Sequence, residues 1–284
     1  MSQIPSSKHK KNIFITGVST GIGYKTAETF LQNGHTVIGT LRKMSDVDFF
    51  MKTYPHHFIG LQIDLLQIEK IEKITEELLD KNITHIDVLV NNAGIALAGP
   101  AELQNISEFQ EMMTINFFAV VKVIQTLMPF LRVSTSARII NISSISGVSA
   151  LPFLSGYAAT KHAVEGFSKA LRNELNIHNV HVAVIGPGSI KTPIWDKGFS
   201  RLKDVYKGSI YEKSSAQFSD IAEGESKNGL DPQAVVGCIE HAAFSHWPCL
   251  RYQPIPRKFT NWTLPRLLPD RIYNYFVTKA LFLR

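Results

Sequence analysis

A chain of 284 residues, 44% apolar and 19% charged, is long enough to bury one large core and too apolar to stay disordered. The net charge of +6 includes a cluster at Lys8, His9, Lys10 and Lys11, but no recognition helix or aromatic-basic platform accompanies it, so residues 1–11 are expected to be a solvated basic arm without a nucleic-acid partner. Cys238 and Cys249 make neither a disulfide framework nor a metal site, and neither a secretory leader nor an apolar run of membrane-spanning length is read, so a metal-free cytoplasmic protein is expected.

Residues 12–16 (NIFIT) form an apolar run that breaks into Gly17-Val18-Ser19-Thr20-Gly21-Ile22-Gly23, after which Ile22, Thr26 and Phe30 keep helical spacing. Glycines let a backbone approach a phosphate, and a helix start offers unpaired N–H groups at the positive end of its dipole. The spacing G-x-x-x-G-x-G differs from the common dinucleotide fingerprint, so on residues alone a plain glycine turn stays open.

A second strand at 36–40 stops at Leu41-Arg42, and a third at 58–63 ends at Asp64-Leu65. A charged, amphipathic helix pattern follows from Ile68 to Leu79. A fourth strand, 86–90, runs into Asn91-Asn92-Ala93-Gly94. Ser107 with Gln110 reads as a capping box for a long apolar helix to about Leu131, with Asn116 in its interior. A buried amide needs partners, so Asn116 is either a satisfied structural group or part of a relay.

A fifth strand, 138–142, delivers Ser143 and Ser144 at its C-terminal end, where ligands bind in open α/β sheets. The next helix runs to about His178, and a sixth strand, 180–185, ends at Gly186-Pro187-Gly188. Such alternation predicts an α/β fold: one doubly wound parallel sheet of about seven strands with helices on both faces, spanning residues 12–260.

From 193 to about 230 the periodicity fades into a stretch holding Trp195, Phe199, Tyr206 and Tyr211, which is expected to be a lid. Asp231-Pro232 opens another helix, and 250–255 is a candidate last strand. In the tail, 261–284, Ile272, Tyr275, Phe276, Ala280 and Leu283 share a helical face between basic residues. Packing on the core or a subunit is the first reading there, and a weak membrane-surface contact the second.

Within GYAATKHAVEG at 156–166, Tyr157 and Lys161 lie four apart on one helical face. A cation within about 4–6 Å stabilises a phenolate and lowers the tyrosine pKa from about 10, which makes the pair an acid/base candidate. The spacing alone proves little, since Tyr275 and Lys279 repeat it with nothing around them.

Together these motifs resemble the short-chain dehydrogenase/reductase family over residues 12–192, in order and register. The resemblance implies a Rossmann-type oxidoreductase with a catalytic set of Asn116, Ser144, Tyr157 and Lys161. Family members place the serine thirteen residues before the tyrosine, which selects Ser144 over Ser143. It further implies cofactor contacts at Gly17, Ser19, Thr20, Gly21, Ile22 and Gly23, at Leu41 and Arg42, and at Asp64 and Leu65. Asn91, Ala93, Gly94, Tyr157, Lys161, Pro187, Gly188, Ile190 and Thr192 complete that set.

The residue before Pro187-Gly188 is often Asn or Glu in relatives, and Gly186 departs from that. Among relatives the chain looks most like the branch that handles steroids, retinoids and other lipophilic alcohols. A hydrophobic secondary alcohol or ketone is therefore the expected substrate, and a homodimer or homotetramer the expected assembly. The second strand ends at Leu41 where an NAD-binding member would carry a carboxylate, and Arg42 follows, so NADP is the expected cofactor with NAD as the alternate. The rivals are a cofactor-sensing or scaffold protein without turnover, and a reductase of 3-oxoacyl substrates.

Overall fold

The computed structural model describes residues 10–194, 199 and 201–284. Among them β1 (Asn12–Thr16), β2 (Thr36–Leu41), β3 (Phe58–Gln62), β4 (Val88–Asn91), β5 (Arg138–Ile142), β6 (His181–Ile185) and β7 (Arg251–Tyr252) form one sheet in the order β3-β2-β1-β4-β5-β6-β7. Every pairing is parallel, from Asn12 opposite Thr36 through Ile142 opposite Ile185.

The strands read as unbroken apolar runs because both sheet faces are covered. Phe14, Ile38, Leu89, Ile139 and Val182 project to one side, under Val123 and Leu127 of one helix and Leu171 of another. Their neighbours Ile13, Val37, Val90, Ile140 and Ile185 project to the other, under Phe30, Val235 and Ile239. The covering helices include α1 (Gly21–Gln32), α2 (Asp48–Thr53), α3 (Lys73–Asp80), α4 (Ile106–Met113), α5 (Ala119–Leu131) and α6 (Ser155–Glu174).

Beyond β6 lie α7 (Leu202–Val205), α8 (Glu212–Lys227), α9 (Pro232–Phe244), α10 (Leu264–Leu267) and α11 (Asp270–Ala280). From β1 the chain winds outward to β2 and β3, and from β4 it winds the other way. The C-terminal ends of β1 and β4 therefore flank a crevice at the switch point, where such sheets bind ligands.

Several expectations are corrected. α4 starts at Ile106 with Asn105 as its N-cap, so Ser107 lies inside the first turn and no capping box forms. Residues Ile106–Leu131 are, by length and composition, long and apolar enough to cross a bilayer, contrary to the expectation that no such run exists; half of an apolar 18-residue window within it is buried, and Ala119, Val123 and Leu127 make it a core helix here.

The stretch 193–230 is largely helical rather than a bare loop. The buried face of α8 is built partly from Ser214, Ser215 and Ser219, so it lacks an apolar stripe to read, and their hydroxyls donate to backbone carbonyls of Phe282, Glu212 and Phe199. Trp195 lies outside the described residues. Phe199 and Tyr206 are buried in one cluster with Phe153, Tyr157 and Phe218. The last strand is only two residues long. α9 begins as expected, with the Asp231 carboxylate accepting from the Gln233 N–H at 2.8 Å and Pro232 in the first turn.

Candidate active site

The crevice is a cavity of about 330 Å³. On the β1–β3 side its walls are Gly17, Ser19, Thr20, Gly21, Ile22, Leu41, Arg42, Asp64 and Leu65. Gly17 and Gly21 hold φ of +73° and +62°, a region that disfavours any side chain. A Cβ on Gly17 would stand 3.1 Å from Ala93, so the glycine lets the β1 turn sit directly against the β4 turn. The turn is pinned by Asn92, whose Nδ2 donates to the carbonyls of Thr16 and Gly17 at 3.0 Å. Thr20 is the N-cap of α1 and its hydroxyl makes no capping bond, which leaves it and the first N–H groups of the helix to the crevice.

Across the crevice, Ala93, Gly94, Ser144, Tyr157, Lys161, Pro187, Gly188, Ile190 and Thr192 line the wall. α6 carries Tyr157 and Lys161 on its buried face, 7% and 4% exposed. The Lys161 Nζ lies 5.7 Å from the Tyr157 ring centroid and donates to the Ile142 carbonyl at 2.9 Å. Ser144 Oγ accepts from the Ser146 N–H at 3.1 Å and shares a hydrogen bond with the Tyr157 hydroxyl. Ser143 lines the cavity too, but its buried Oγ has no partner, and the bond to the phenol comes from Ser144.

Asn116 does not line the cavity; it sits behind it, in a π-helical turn, Thr114–Phe118, between α4 and α5. That wider turn rotates the amide inward. Its Oδ1 accepts from the Ile95 N–H at 2.8 Å, and its Nδ2 donates to the Ile95 carbonyl at 2.9 Å and to Thr160 Oγ1 at 3.0 Å. A Cβ on Gly94 would stand 3.1 Å from Asn116 Oδ1 and 3.6 Å from Lys161 Nζ, so glycine there keeps the β4 turn, the amide and the ammonium together.

Two expected cofactor contacts are corrected. Asn91 belongs to β4, where its side chain turns away from the crevice and donates to Asn141 Oδ1 at 2.8 Å. Gly23 is buried in α1; a Cβ there would lie 2.0 Å from the Gly17 carbonyl, so its role is to let the helix close on the turn. Residues not singled out also line the cavity: Asn92, Ile95, Ala96, Leu97, Glu111, Ile115 and Ile194. Asn92 was within reach of a sequence reading, one position from Asn91 in the same motif. The others carry no local signal beyond an apolar loop and one helix face.

The expectation that Lys161 lowers the tyrosine pKa is corrected as well. Burial pushes Tyr157 up to about 12, against a smaller lowering by Ser144. Burial also brings Lys161 down to about 8, opposed by the negative charge of Glu165. Desolvation is the largest cause of both shifts. At neutral pH the site thus holds a phenol that keeps its proton and an ammonium poised to lose one.

A doubly wound sheet with a glycine turn at its switch point and a buried serine, tyrosine and lysine at the facing strand end defines a nicotinamide-nucleotide oxidoreductase. The family described as short chain dehydrogenase matches residues 11–202. The chain is 37% identical over 273 residues to an NADPH-dependent 3-dehydrocapnine reductase of Ornithobacterium rhinotracheale, covering 94% of this chain and 96% of that one. It is 33% identical over 274 residues to a 3-ketodihydrosphingosine reductase of Bacteroides thetaiotaomicron, with 93% and 95% covered. A short-chain dehydrogenase from Streptomyces avermitilis shares the fold at a TM-score of 0.78 and 26% identity, with 95% of both chains covered. The chain belongs to the short-chain dehydrogenase family and is an oxidoreductase acting on CH–OH and keto groups.

Proposed function

We propose that the protein is an NADP(H)-dependent reductase that converts the ketone of a long-chain, lipid-like 3-oxo compound to a secondary alcohol. The observation that carries this reading is the apolar wall of the cavity that Tyr157 also lines: Ile95, Ala96, Leu97, Ile115 and Ile194 face the same crevice, which suits an alkyl chain. The two relatives' names support the class, since both describe reduction of a carbon-3 ketone.

The crevice fits a dinucleotide. Gly17 and Gly21 leave room that a Cβ would fill, the start of α1 offers N–H groups to a diphosphate, and Arg42 is exposed at the end of β2 for a ribose phosphate. The cofactor, when bound, supplies the hydride. Tyr157, protonated at neutral pH, donates its proton to the carbonyl oxygen; Ser144 donates a hydrogen bond to that same oxygen; and Lys161 balances the negative charge left on the phenol. Asn116 positions the β4 turn and α6 relative to each other. Assembly as a homodimer or homotetramer belongs to the same proposal, with the exposed Ile106 of α4 and Phe118 of the π-helical turn as its apolar surface.

Consumption of NADPH with a panel of ketones tests the reading. Long-chain 3-oxo amino alcohols should be turned over faster than 3-oxoacyl thioesters or sugars. Faster turnover of either of the latter would replace it.

A further inference from the structure

We propose that the C-terminal segment, α10 and α11 with their flanks, is a docking surface for an anionic lipid surface. No residue of α10 or α11 is buried. Leu267 is 72% exposed, Phe276 57% and Ile272 45%. Scattered exposed apolar residues are ordinary, but these are gathered in one short segment. In α11, Ile272, Tyr275, Phe276 and Lys279 share a helical face. The opposite face is already satisfied: Val277 and, just past the helix, Leu281 pack against the cluster that contains Tyr157 and Phe218. The exposed face is therefore not a piece of core left unfilled; of the residues expected to pack on the core or a subunit, Leu283 packs against that cluster, while Ile272, Tyr275, Phe276 and Ala280 are exposed on this chain.

Charge identifies the occupant. Residues 261–284 hold Arg266, Arg271, Lys279 and Arg284 against one acid, Asp270. Arg266 lies over the Trp262 ring at 4.6 Å, and Lys279 and Arg284 lie over the Tyr275 ring at 5.9 and 5.4 Å. Lys279 and Arg284 are thus held beside the exposed Tyr275, and Arg266 and Arg271 are exposed in the same segment. A second copy of the chain meeting this face about a two-fold axis would bring the same cations together. An anionic bilayer accepts both features at once, taking up Leu267, Ile272 and Phe276 below its headgroups while those headgroups meet the cations. The proposal goes beyond the reading of the substrate and does not depend on it, because binding is measured without turnover.

The test is sedimentation of the full chain with phosphatidylcholine vesicles and with vesicles that also contain phosphatidylglycerol. Two variants accompany it, Leu267→Ser/Ile272→Ser/Phe276→Ser and Arg266→Gln/Arg271→Gln/Lys279→Gln, all at exposed positions outside the active site. The expected result is binding to the anionic vesicles only, weakened on the order of a hundredfold when the three cations are removed and lost when the apolar face is removed. NADPH-dependent turnover of a water-soluble ketone should stay the same in all three proteins. Absence of binding to anionic vesicles, equal binding to neutral ones, or binding that both variants retain would overturn the proposal. So would a wild-type dimer that the apolar variant converts to monomer while vesicles capture neither.

Discussion

The Arg251 guanidinium occupies the space that a side chain at position 186 would need: a Cβ on Gly186 would stand 2.2 Å from Arg251 Nη2. This accounts for the one departure in the segment after β6, where relatives often carry Asn or Glu. Arg251, on β7, cannot easily swing away. Its Nε lies 3.1 and 3.2 Å from the two Glu165 carboxylate oxygens, its Nη2 3.0 Å from one of them, and its guanidinium 5.3 Å from the Trp262 ring. Glu165 is one helical turn from Lys161 and buried, so Arg251 neutralises a charge directly behind Lys161. Removing one partner of a buried pair strands the other.

Arg251→Met should therefore destabilise the fold by about 3 kcal/mol, and Arg251→Met with Glu165→Gln by clearly less. Gly186→Asn should destabilise by about 1–3 kcal/mol through the forced displacement of Arg251. Urea unfolding of the four proteins checks this. Equal stability of the single and double Arg251 variants would mean that Glu165 finds another partner.

Tyr157→Phe removes only the ionisable oxygen from a side chain buried in one apolar cluster with Phe153 and Phe218. It should fold and bind NADPH as the parent does, and lose at least about 100-fold in kcat. Cofactor titration and steady-state rates separate the two effects. More than roughly a tenth of the parent rate would remove Tyr157 as the proton donor.

The pH dependence follows from opposite shifts in one site. Lys161 is a cation below about 8 and neutral above it, while Tyr157 keeps its proton to about 12. Ketone reduction should fall on the alkaline side with a midpoint near 8, set by the lysine and not by the tyrosine, in a profile of kcat/KM. The same group acts on stability. The unfolded chain holds the Lys161 proton up to about 10.5 and the folded one only to about 8, so between those values the unfolded state binds more protons and stability rises with pH. Lys161→Met should flatten that rise. A reduction profile level from pH 6 to 10 would contradict the assignment.

Much of this was legible beforehand because the sheet is parallel and covered on both faces, so each strand is an apolar run that ends in a turn carrying chemistry. The glycine turn, Asn92 to Gly94 and the pair on α6 all sit at such ends. What was not legible depends on contacts between distant segments. The serine-lined face of α8 hides its helix from any count of apolar residues. The pairing of Arg251 with Glu165 joins positions 86 residues apart. The Tyr157 pKa is raised because the side chain is buried, which no local pattern states.

Cofactor choice is decided at the end of β2. Leu41 is buried and Arg42 exposed, so the position where a carboxylate would bind both ribose hydroxyls of NAD and repel a 2′-phosphate carries neither function. The Arg42 carbonyl accepts from Gln62 Nε2 at 3.1 Å, which fixes the backbone there while leaving the guanidinium to solvent and ligand. A planar guanidinium gives a phosphate charge-assisted hydrogen bonds that an unphosphorylated ribose cannot return. Thr20, with its hydroxyl uncommitted at the start of α1, lines the same cavity. NADPH should therefore bind on the order of tenfold to a hundredfold more tightly than NADH, equivalent to about 1.4–3 kcal/mol. Arg42→Ala should remove most of that margin, and Leu41→Asp with Arg42→Ala should reverse it by adding repulsion toward the phosphate. Fluorescence titration with both reduced cofactors at moderate salt measures each step, and equal or tighter binding of NADH by the parent protein would show that Arg42 does not engage the phosphate.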